Sequence, residues 1–588
     1  MLELYLKRKP IEVGGESFVG KQSLVALDTD HIKQYVFATD KLKEIRGASS
    51  ILDNLNRRVM TDIAEKEFQA KGIYANGGSG LFLIDGDKTI AEKFGQRVQQ
   101  EYRKETEGGA SITFAVQEIP ESIQDIENNP DLHPYMQLLH YRLLQAKGYP
   151  HQDFEVLPSH PLMRLCDACG IRYAEDKYKG ESPDPDDQER RYCKVCLNKR
   201  DEDHSVKQGV ERIVADKVRT EHVIHREENP FIWERIIDQL PATYKLRIGT
   251  NRPSDFNKLQ GLSGGKDYLG LIYADANNMG AVMDELDTLE KREAVADLVD
   301  AAVYRAMSTA IAEHLPVVTG DEDTPFMFPF DILMIGGDDV MVVTPANVAM
   351  DVALTLAKTF HEETKKHDIR PKKEGYTLSV GVVLAPVKYP FGMLQGLSES
   401  TLKYAKKEGA RMQHASNYGN TLINFMAVTG SASHDFNRVY QSLHDKHVRV
   451  SGHRGDIAFY ATLRPYRVEE LTLLLDTIRE GKRKTLGRTK LHQVREAVLE
   501  MNLTSSVSDG IAVLRNWRAQ QRDFVLQHVY TLGDRYQEAH RDAEKPGTMF
   551  PRVTFPWFAD GPHAYRTSLL DFVELYDFVA QEEVDDVH

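Results

Sequence analysis

The chain has 588 residues and a formal net charge of −15, with 41% hydrophobic and 28% charged residues. This length predicts three to five domains, and the composition is typical of a globular protein rather than a disordered one. No apolar run is long enough to span a membrane, and the first residues lack the apolar core of a signal peptide. We therefore expect a cytoplasmic protein, and one too acidic overall to bind nucleic acid across its whole surface.

The first predicted unit covers residues 1–120. A short apolar strand ends at Asp28, and a helix follows because the apolar residues from Ile51 onwards have helical spacing. Residues 73–84 then have the pattern of a strand, a Gly-Gly turn and a second strand, and residues 110–117 form another strand.

The next predicted unit, residues 121–265, begins with helices and contains two Cys-x-x-Cys pairs. All four cysteines of the chain belong to these pairs: Cys166, Cys169, Cys193 and Cys196. Disulfides and unrelated buried thiols are the alternatives. A cytoplasmic setting argues against disulfides, and the paired spacing argues against unrelated thiols. The pattern predicts a structural Zn²⁺ site, and four thiolates would leave that ion no open position for catalysis.

The third predicted unit, residues 266–427, carries the acidic motif. An apolar strand ends at Asp275, and 63 residues later Asp338 and Asp339 follow Gly336 and Gly337 between two apolar strands. Adjacent carboxylates repel each other, so this turn is costly unless a divalent cation lies between them. An exposed Asp-rich turn is the alternative interpretation. A strand-end aspartate plus an aspartate pair at a hairpin tip suits two-metal phosphoryl transfer.

The first and third units repeat one pattern of strands and helices. In the first copy the turn reads Gly77-Gly78-Ser79-Gly80, so Ser79 and Gly80 replace the two aspartates. Because a hydroxyl is a weak ligand for a hard cation, we expect the first copy to be catalytically silent. Whether its Gly-Gly turn still holds a nucleotide phosphate is left open.

These motifs resemble the palm domain shared by GGDEF cyclases and the large subunit of type III CRISPR effector complexes, the Cas-ten family of Cmr and Csm types. Residues 377–383 resemble the next palm strand, and residues 400–411 resemble its final helix with an Ala-Lys pair. The tetrad here reads Gly-Gly-Asp-Asp rather than GGDEF, which favours the CRISPR branch. The resemblance implies an α+β fold with two ferredoxin-like palms, a zinc-binding helical insert and a C-terminal helical domain over residues 428–588.

The resemblance also implies a function. The chain would make cyclic oligoadenylate from ATP when the complex binds target RNA, in antiviral defence, with the other type III subunits and guide RNA as partners. Two Mg²⁺ or Mn²⁺ ions would be held by Asp275, Asp338 and Asp339. Nucleotide contacts would come from residues around them: Gly336, Gly337, Asn277, Asn278 and Lys406.

Several of these roles have alternatives. Lys407 could replace Lys406, or both could be ordinary surface charges, and Asn277 or Asn278 could cap the following helix. The basic segment 481–490 could contact RNA or be a solvated loop.

Other functions compete with the cyclase. A silent scaffold for the ribonucleoprotein is one, although clustered carboxylates serve no purpose in a scaffold. A diguanylate cyclase is another, although the doubled palm and the cysteine module argue against it.

Many relatives begin with an HD-type nuclease domain. Here the first palm starts near residue 20, so we expect no HD nuclease and assign the His-Asp pairs at residues 367–368, 434–435 and 444–445 to chance or surface use.

Overall fold

The structure is a computed structural model, and it describes most of the chain. The described residues are 22–123, 125–148, 162–179, 189–221, 223, 231–263, 266–320, 324–411, 418–428, 435–449, 456–532, 553–560 and 564–580. Within this part of the chain, no helix combines the length and apolar composition that a membrane span requires.

The first palm is a four-stranded antiparallel sheet with the strand order β2-β3-β1-β4. Its elements are β1 (Gln22–Asp30), α1 (Ile32–Val36), α2 (Leu42–Asn54), α3 (Met60–Phe68), β2 (Lys71–Asn76), β3 (Ser79–Asp85), α4 (Lys88–Glu105) and β4 (Ser111–Ile119). A single π-helical turn, Leu55–Val59, joins α2 to α3. One face of the sheet packs against α2, α3 and α4, through residues such as Val25 and Phe94.

The insert supplies the layer on the other face of this sheet. Its elements are α5 (His133–Gly148), β5 (Asp176–Lys177), β6 (Arg191–Tyr192), α6 (Lys194–Thr220), α7 (Phe231–Gln239) and β7 (Thr250–Asn251). Met136 and Leu139 of α5 pack against Leu24 and Ala26 of β1, which point away from the first layer of helices. Helix α5 is therefore part of the first palm in space, although the predicted boundary at residue 120 excludes it.

The second palm repeats the order of the first. Its elements are β8 (Tyr268–Ala276), α8 (Met279–Glu285), α9 (Leu289–His314), β9 (Val318–Thr319), β10 (Phe326–Met327), β11 (Asp331–Gly336), β12 (Asp339–Pro345), α10 (Ala349–His367), β13 (Leu378–Pro386), α11 (Phe391–Gly409) and β14 (Leu422–Ala427). In the sheet, β11-β12-β8-β13 corresponds strand by strand to β2-β3-β1-β4 of the first palm, and β14 adds a parallel strand. The mixed α+β fold predicted from the sequence is confirmed.

The C-terminal part is not purely helical, contrary to the prediction. Its elements are α12 (Phe436–His444), β15 (Asp445–Arg449), β16 (Asp456–Tyr460), β17 (Tyr466–Arg467), α13 (Val468–Arg483), α14 (Arg488–Leu499), α15 (Leu503–Arg515), α16 (Ala519–Phe524), β18 (Val553–Thr554), β19 (Trp557–Ala559), β20 (Ala564–Arg566) and α17 (Leu569–Tyr576). Five strands form a sheet in the order β15-β16-β20-β19-β18, and β17 joins the second palm. Residues 564–566 pair with β16 and β19, so the last helix begins only at Leu569.

A buried group of ion pairs, which we call the Arg46 cluster, joins the palms and the insert. The Arg46 guanidinium of α2 donates to Asp331 of β11 at 2.8 Å and to Asp203 of α6 at 3.0 Å. Arg252 donates to the other oxygen of Asp203 at 3.0 Å. All four side chains are almost inaccessible to solvent, so this cluster fixes α2 and α6 to the base of the strand that leads to Gly336.

Candidate active site

Three predicted catalytic carboxylates meet at one edge of the second palm. Asp275 of β8 lies directly opposite Asp339 of β12 in the antiparallel register. Residues opposite each other in such a pair point to the same face of the sheet. Asp338 lies in the two-residue turn between β11 and β12, after Gly337, whose φ of 59° requires the left-handed conformation that glycine adopts freely.

The negative charges of the three carboxylates repel one another. Burial, together with the charge of Asp275, raises the pKa of Asp338 to about 7. Burial and the charges of Asp275 and Asp338 raise the pKa of Asp339 well above its usual value. One oxygen of Asp339, Oδ1, is buried and has no hydrogen-bond partner. A divalent cation would supply both the missing partner and the missing positive charge.

Two lysines from different palms oppose this excess of negative charge. Lys406 of α11 forms an ion pair with Asp275, and its ammonium donates to the carbonyl of Ala276 at 2.9 Å. The adjacent Lys407 is exposed on the outer side of the same helix. The charge of Lys33, on α1 of the first palm, also acts on Asp339. Sequence reasoning identified Lys406 but missed Lys33.

The two predicted asparagines differ in their surroundings. The Asn277 amide donates to Thr377 Oγ1 at 3.0 Å, and its oxygen accepts from Ser379 at 2.8 Å, so this side chain ties β8 to the start of β13. Asn278 occupies the N-cap position of α8 with a φ of 57°, but its side chain makes no capping hydrogen bond. A role for either in orienting the ribose or the base stays a prediction.

The first palm repeats this edge without the aspartate pair of the turn, although Asp28 keeps the position of Asp275. Asp28 lies opposite Ser79, as Asp275 lies opposite Asp339, so Gly78 and Ser79 occupy the positions of Asp338 and Asp339. Aligning the glycine motifs had instead paired Ser79 and Gly80 with the aspartates, and the strand register corrects that alignment by one residue. The absence of both carboxylates, on which the prediction of a silent palm rests, is unchanged.

A lysine completes the first copy in the same way as the second. Lys147 of α5 forms an ion pair with Asp28, and its ammonium lies 3.4 Å from the carbonyl of Thr29. Lys406 makes the equivalent pair of contacts with Asp275 and Ala276. The internal repeat therefore extends to α5 and α11, the helices that follow the fourth strand of each palm.

The two Gly-Gly turns touch each other. A Cβ atom on Gly77 would lie 3.1 Å from the backbone nitrogen and Cα of Gly337, and one on Gly336 would lie 3.3 Å from the Cα of Gly77. Glycine is thus required where the palms meet, in addition to the predicted approach of a nucleotide phosphate to Gly336 and Gly337. That phosphate contact stays a prediction.

Replacing Gly77 by Ala is expected to destabilise the chain more than replacing Gly108 by Ala. Both glycines have a positive φ, 59° and 70°, but a Cβ on Gly108 would meet nothing within 4 Å. Left-handed strain costs either variant about 1–2 kcal/mol, and the crowded contact should cost Gly77→Ala roughly 1 kcal/mol more. Urea unfolding of both variants measures the difference. Equal losses would show that the turn contact contributes nothing.

The four cysteines form a second cluster, remote in sequence from the aspartates. Their sulfur atoms all lie within 4.8 Å of one another, and Cys169 Sγ is 3.9 Å from Cys193 Sγ. A tetrahedral Zn²⁺ with Zn–S bonds of about 2.3 Å places its sulfurs about 3.8 Å apart. Among the described residues this is the one group of ligands already gathered into a coordination shell, so the three aspartates would have to close around their cations.

Of the three His-Asp pairs, the one at residues 367–368 has both side chains described. His367 is exposed, while Asp368 is buried and accepts hydrogen bonds from Arg370 and from the Gly375 backbone. His434 lies outside the described residues, as does the side chain of His444.

The basic segment 481–490 is largely paired with acidic residues. Lys484 contacts Glu480, and Arg488 contacts Asp577, which favours the solvated-loop interpretation over RNA binding.

Comparisons with known proteins agree with this geometry. Residues 268–415 match the family model described as the second palm domain of Cas10/Cmr2. The fold is similar to a chain of the Csm1–Csm4 cassette in complex with pppApApA, with a TM-score of 0.54 and 12% identity, over 95% of this chain and 69% of that chain. It is also similar to the cassette in complex with cA4, with a TM-score of 0.51 and 13% identity, over 95% and 70% of the two chains. Csm1 from T. onnurineus gives a TM-score of 0.52 at 12% identity, over 95% and 70%. A comparison with curated proteins finds no match.

Proposed function

The chain belongs to the Cas10/Cmr2 family, as its sequence motifs predict, and from this premise we propose that it is a metal-dependent nucleotidyl cyclase. The observation that carries the proposal is the meeting of Asp275, Asp338 and Asp339 beside Lys406, with a buried carboxylate oxygen left unsatisfied. The substrate would be ATP and the product cyclic oligoadenylate.

The residues of the site would have separate roles in binding cations and the triphosphate. Asp275, Asp338 and Asp339 would hold two Mg²⁺ or Mn²⁺ ions, because hard cations prefer carboxylate oxygens. When bound, such ions lower the pKa of a ribose hydroxyl and neutralise charge on the leaving pyrophosphate. Lys406 would release Asp275 to the cation and turn its ammonium to the triphosphate. Gly336 and Gly337 would let backbone amides approach the phosphates.

The solved relatives support the choice of nucleotide. Structures of the Csm1–Csm4 cassette hold pppApApA, cA4 and the ATP analogue AMPPNP. These compounds are adenine nucleotides, and two of them are oligoadenylates. No side chain of the described site distinguishes adenine from guanine by its chemistry, so ATP rests on the relatives alone.

The relatives also support the partners. Because the solved chains form a cassette of Csm1 with Csm4, we place this chain among the other subunits of a type III CRISPR complex, with guide RNA and target RNA reached through that complex. The net charge of −15 agrees with RNA being held mainly by those partners.

Product analysis tests the proposal. Incubating the assembled complex with labelled ATP, Mn²⁺ and target RNA should yield cyclic oligoadenylate, and the Asp338→Ala complex should yield none. If neither complex makes product, the chain is a scaffold. If the isolated chain makes a cyclic dinucleotide from GTP alone, it is a diguanylate cyclase.

The cysteine cluster is proposed to hold one structural Zn²⁺. Cys193 is the residue before α6, and Cys196 lies in its first turn, so the ion would fix the start of the helix that carries Asp203 of the Arg46 cluster. The four-sulfur shell would be closed, without a position for substrate.

Metal analysis of the purified chain is expected to give one zinc per molecule. Cys196→Ser should reduce zinc content and also lower the melting temperature, because the first turn of α6 loses its anchor. Ser205→Ala, in the exposed middle of the same helix, is the matched control and should change neither. Full zinc retention in Cys196→Ser would contradict the proposed site.

A further inference from the structure

Helix α1 of the first palm brings Lys33 into contact with the second palm. The Lys33 ammonium lies 5.0 Å from the centroid of the Tyr273 ring and 3.5 Å from a carboxylate oxygen of Glu399. Its side chain is 39% exposed, so the charged end can be reached from solvent. Both neighbours belong to the second palm, although Lys33 is more than 200 positions away from either in sequence.

Each neighbour of Lys33 lies on the same element and the same face as a residue of the candidate site. Tyr273 lies two residues before Asp275 on β8, so their side chains point to the same face of the sheet. Glu399 lies seven residues before Lys406 on α11, which is two helical turns and therefore the same side of the helix. Lys33 thus lies on the surface that carries Asp275 and Lys406, and its charge acts on Asp339.

The internal repeat shows that this arrangement occurs once. His31 and Asn278 both adopt a positive φ, 49° and 57°, at the start of the first helix of each palm. By that correspondence, the counterpart of Lys33 is Gly280, around which a Cβ would meet nothing within 4 Å. The second palm therefore has no lysine at the position equivalent to Lys33.

The residues near the Lys33 ammonium also have no equivalent in the first palm. By the same correspondence, Asp339 and Glu399 are replaced there by Ser79 and His140, and Tyr273 by Ala26. The contacts that Lys33 makes with the second palm therefore have no equivalent at the corresponding positions of the first palm.

We propose that Lys33 is a substrate-binding residue of the second palm, supplied by the silent palm, whose ammonium contacts the phosphates of the bound nucleoside triphosphate. This inference rests on the proposed function, because it requires a triphosphate at the carboxylates. Once cations neutralise Asp339, a lysine on a flexible four-carbon stem is free to turn from the acidic cluster to the anionic ligand. The silent palm would then act in catalysis through one side chain.

The competing interpretation is that Lys33 only ties the palms together through Glu399. Glu399→Gln separates the two, because it removes that ion pair and leaves the Lys33 ammonium in place. A structural role predicts that Glu399→Gln and Lys33→Gln behave alike. A phosphate-binding role predicts that only Lys33→Gln weakens nucleotide binding.

Binding of AMPPNP with Mn²⁺ to the assembled complex is the decisive measurement. Lys33→Gln should raise the dissociation constant about tenfold or more, as expected for loss of one charge-assisted hydrogen bond. Lys33→Arg should restore binding to within about threefold, since it keeps the charge and the donors. Glu399→Gln and Lys41→Gln, at an exposed lysine of the same palm, should leave the constant unchanged.

Turnover with labelled ATP and target RNA then distinguishes failure of the Lys33 proposal from failure of the cyclase proposal. With wild-type product formed, Lys33→Gln should raise the KM for ATP in proportion to the dissociation constant. An unchanged dissociation constant in Lys33→Gln, or an equal rise in Glu399→Gln, would overturn the Lys33 proposal and leave the cyclase intact. Absence of wild-type product would overturn the cyclase, while the binding measurement would still decide whether Lys33 holds the nucleotide.

Discussion

Replacing Asp338 by Asn is expected to lower the rate of cyclic oligoadenylate formation at least about a hundredfold, because loss of even an outer-shell metal partner costs 10–100-fold. The amide keeps the size of the carboxylate but not its charge. Turnover of labelled ATP by the target-bound complex measures the loss. Asp62→Asn, at an exposed residue of α3 paired with Lys66, is the matched control and should retain the wild-type rate.

The same variant should be more stable than the wild type when metal is absent. Burial and Asp275 raise the pKa of Asp338 to about 7, whereas an unfolded aspartate has a pKa of about 3.9. Between these values the folded state binds more protons, so stability falls as pH rises through that window. Asp338→Asn removes this contribution and should raise the melting temperature at pH 8 in the presence of chelator.

In the presence of divalent cations, the wild type should instead melt at a higher temperature than Asp338→Asn. Mn²⁺ binds the folded carboxylates and stabilises the wild type by mass action, and the variant should gain less. A variant that loses activity while melting at a lower temperature without metal would instead indicate misfolding.

Replacing Arg46 by Ala is expected to destabilise the chain by about 3–5 kcal/mol, the cost of removing one partner from a buried ion pair. Asp203 keeps Arg252 at 3.0 Å, whereas Asp331 is fully buried and loses the guanidinium that donates to it at 2.8 Å. Urea unfolding gives the change in free energy of unfolding for the transition that includes the palms.

Two further variants control for this result. Lys66→Ala removes an ion pair with Asp62 in which the Lys66 side chain is 70% exposed and the Asp62 side chain is 50% exposed. It should lower the free energy of unfolding by less than about 1 kcal/mol. Adding Asp331→Asn to Arg46→Ala should recover part of the loss, because the orphaned charge disappears. An Arg46→Ala loss no larger than that of Lys66→Ala would show that the cluster does not hold the palms together.

The sequence predicts the palms well because their signals are local and occur twice. Apolar strands of six to nine residues recur in both palms, and two of them carry Asp28 and Asp275 near their ends, so each copy supplies a check on the other. The prediction failed by one residue at the first turn, where Gly77 rather than Gly78 takes the place of Gly337. Motif letters align glycines with glycines, whereas the register is set by pairing along the whole strand.

Features that depend on distant residues escaped prediction. Lys33 contacts Tyr273 and Glu399 from another palm, and Arg46 contacts Asp331 across 285 positions. No local sequence pattern predicts either contact. The strands of the C-terminal sheet are two to five residues long, too short for a period-2 signal. Lys147 could have been found by extending the repeat one helix further, to the position that corresponds to Lys406.

The central claim is that Asp275, Asp338 and Asp339 hold two cations against a triphosphate, and anomalous scattering from Mn²⁺ tests it most directly. Crystals of the chain grown with Mn²⁺ and AMPPNP should show two Mn²⁺ peaks about 3.5–4 Å apart, within bonding distance of Asp275 and Asp338. Anomalous density that is absent from this edge of the second palm, with nucleotide bound elsewhere or not at all, would contradict the account.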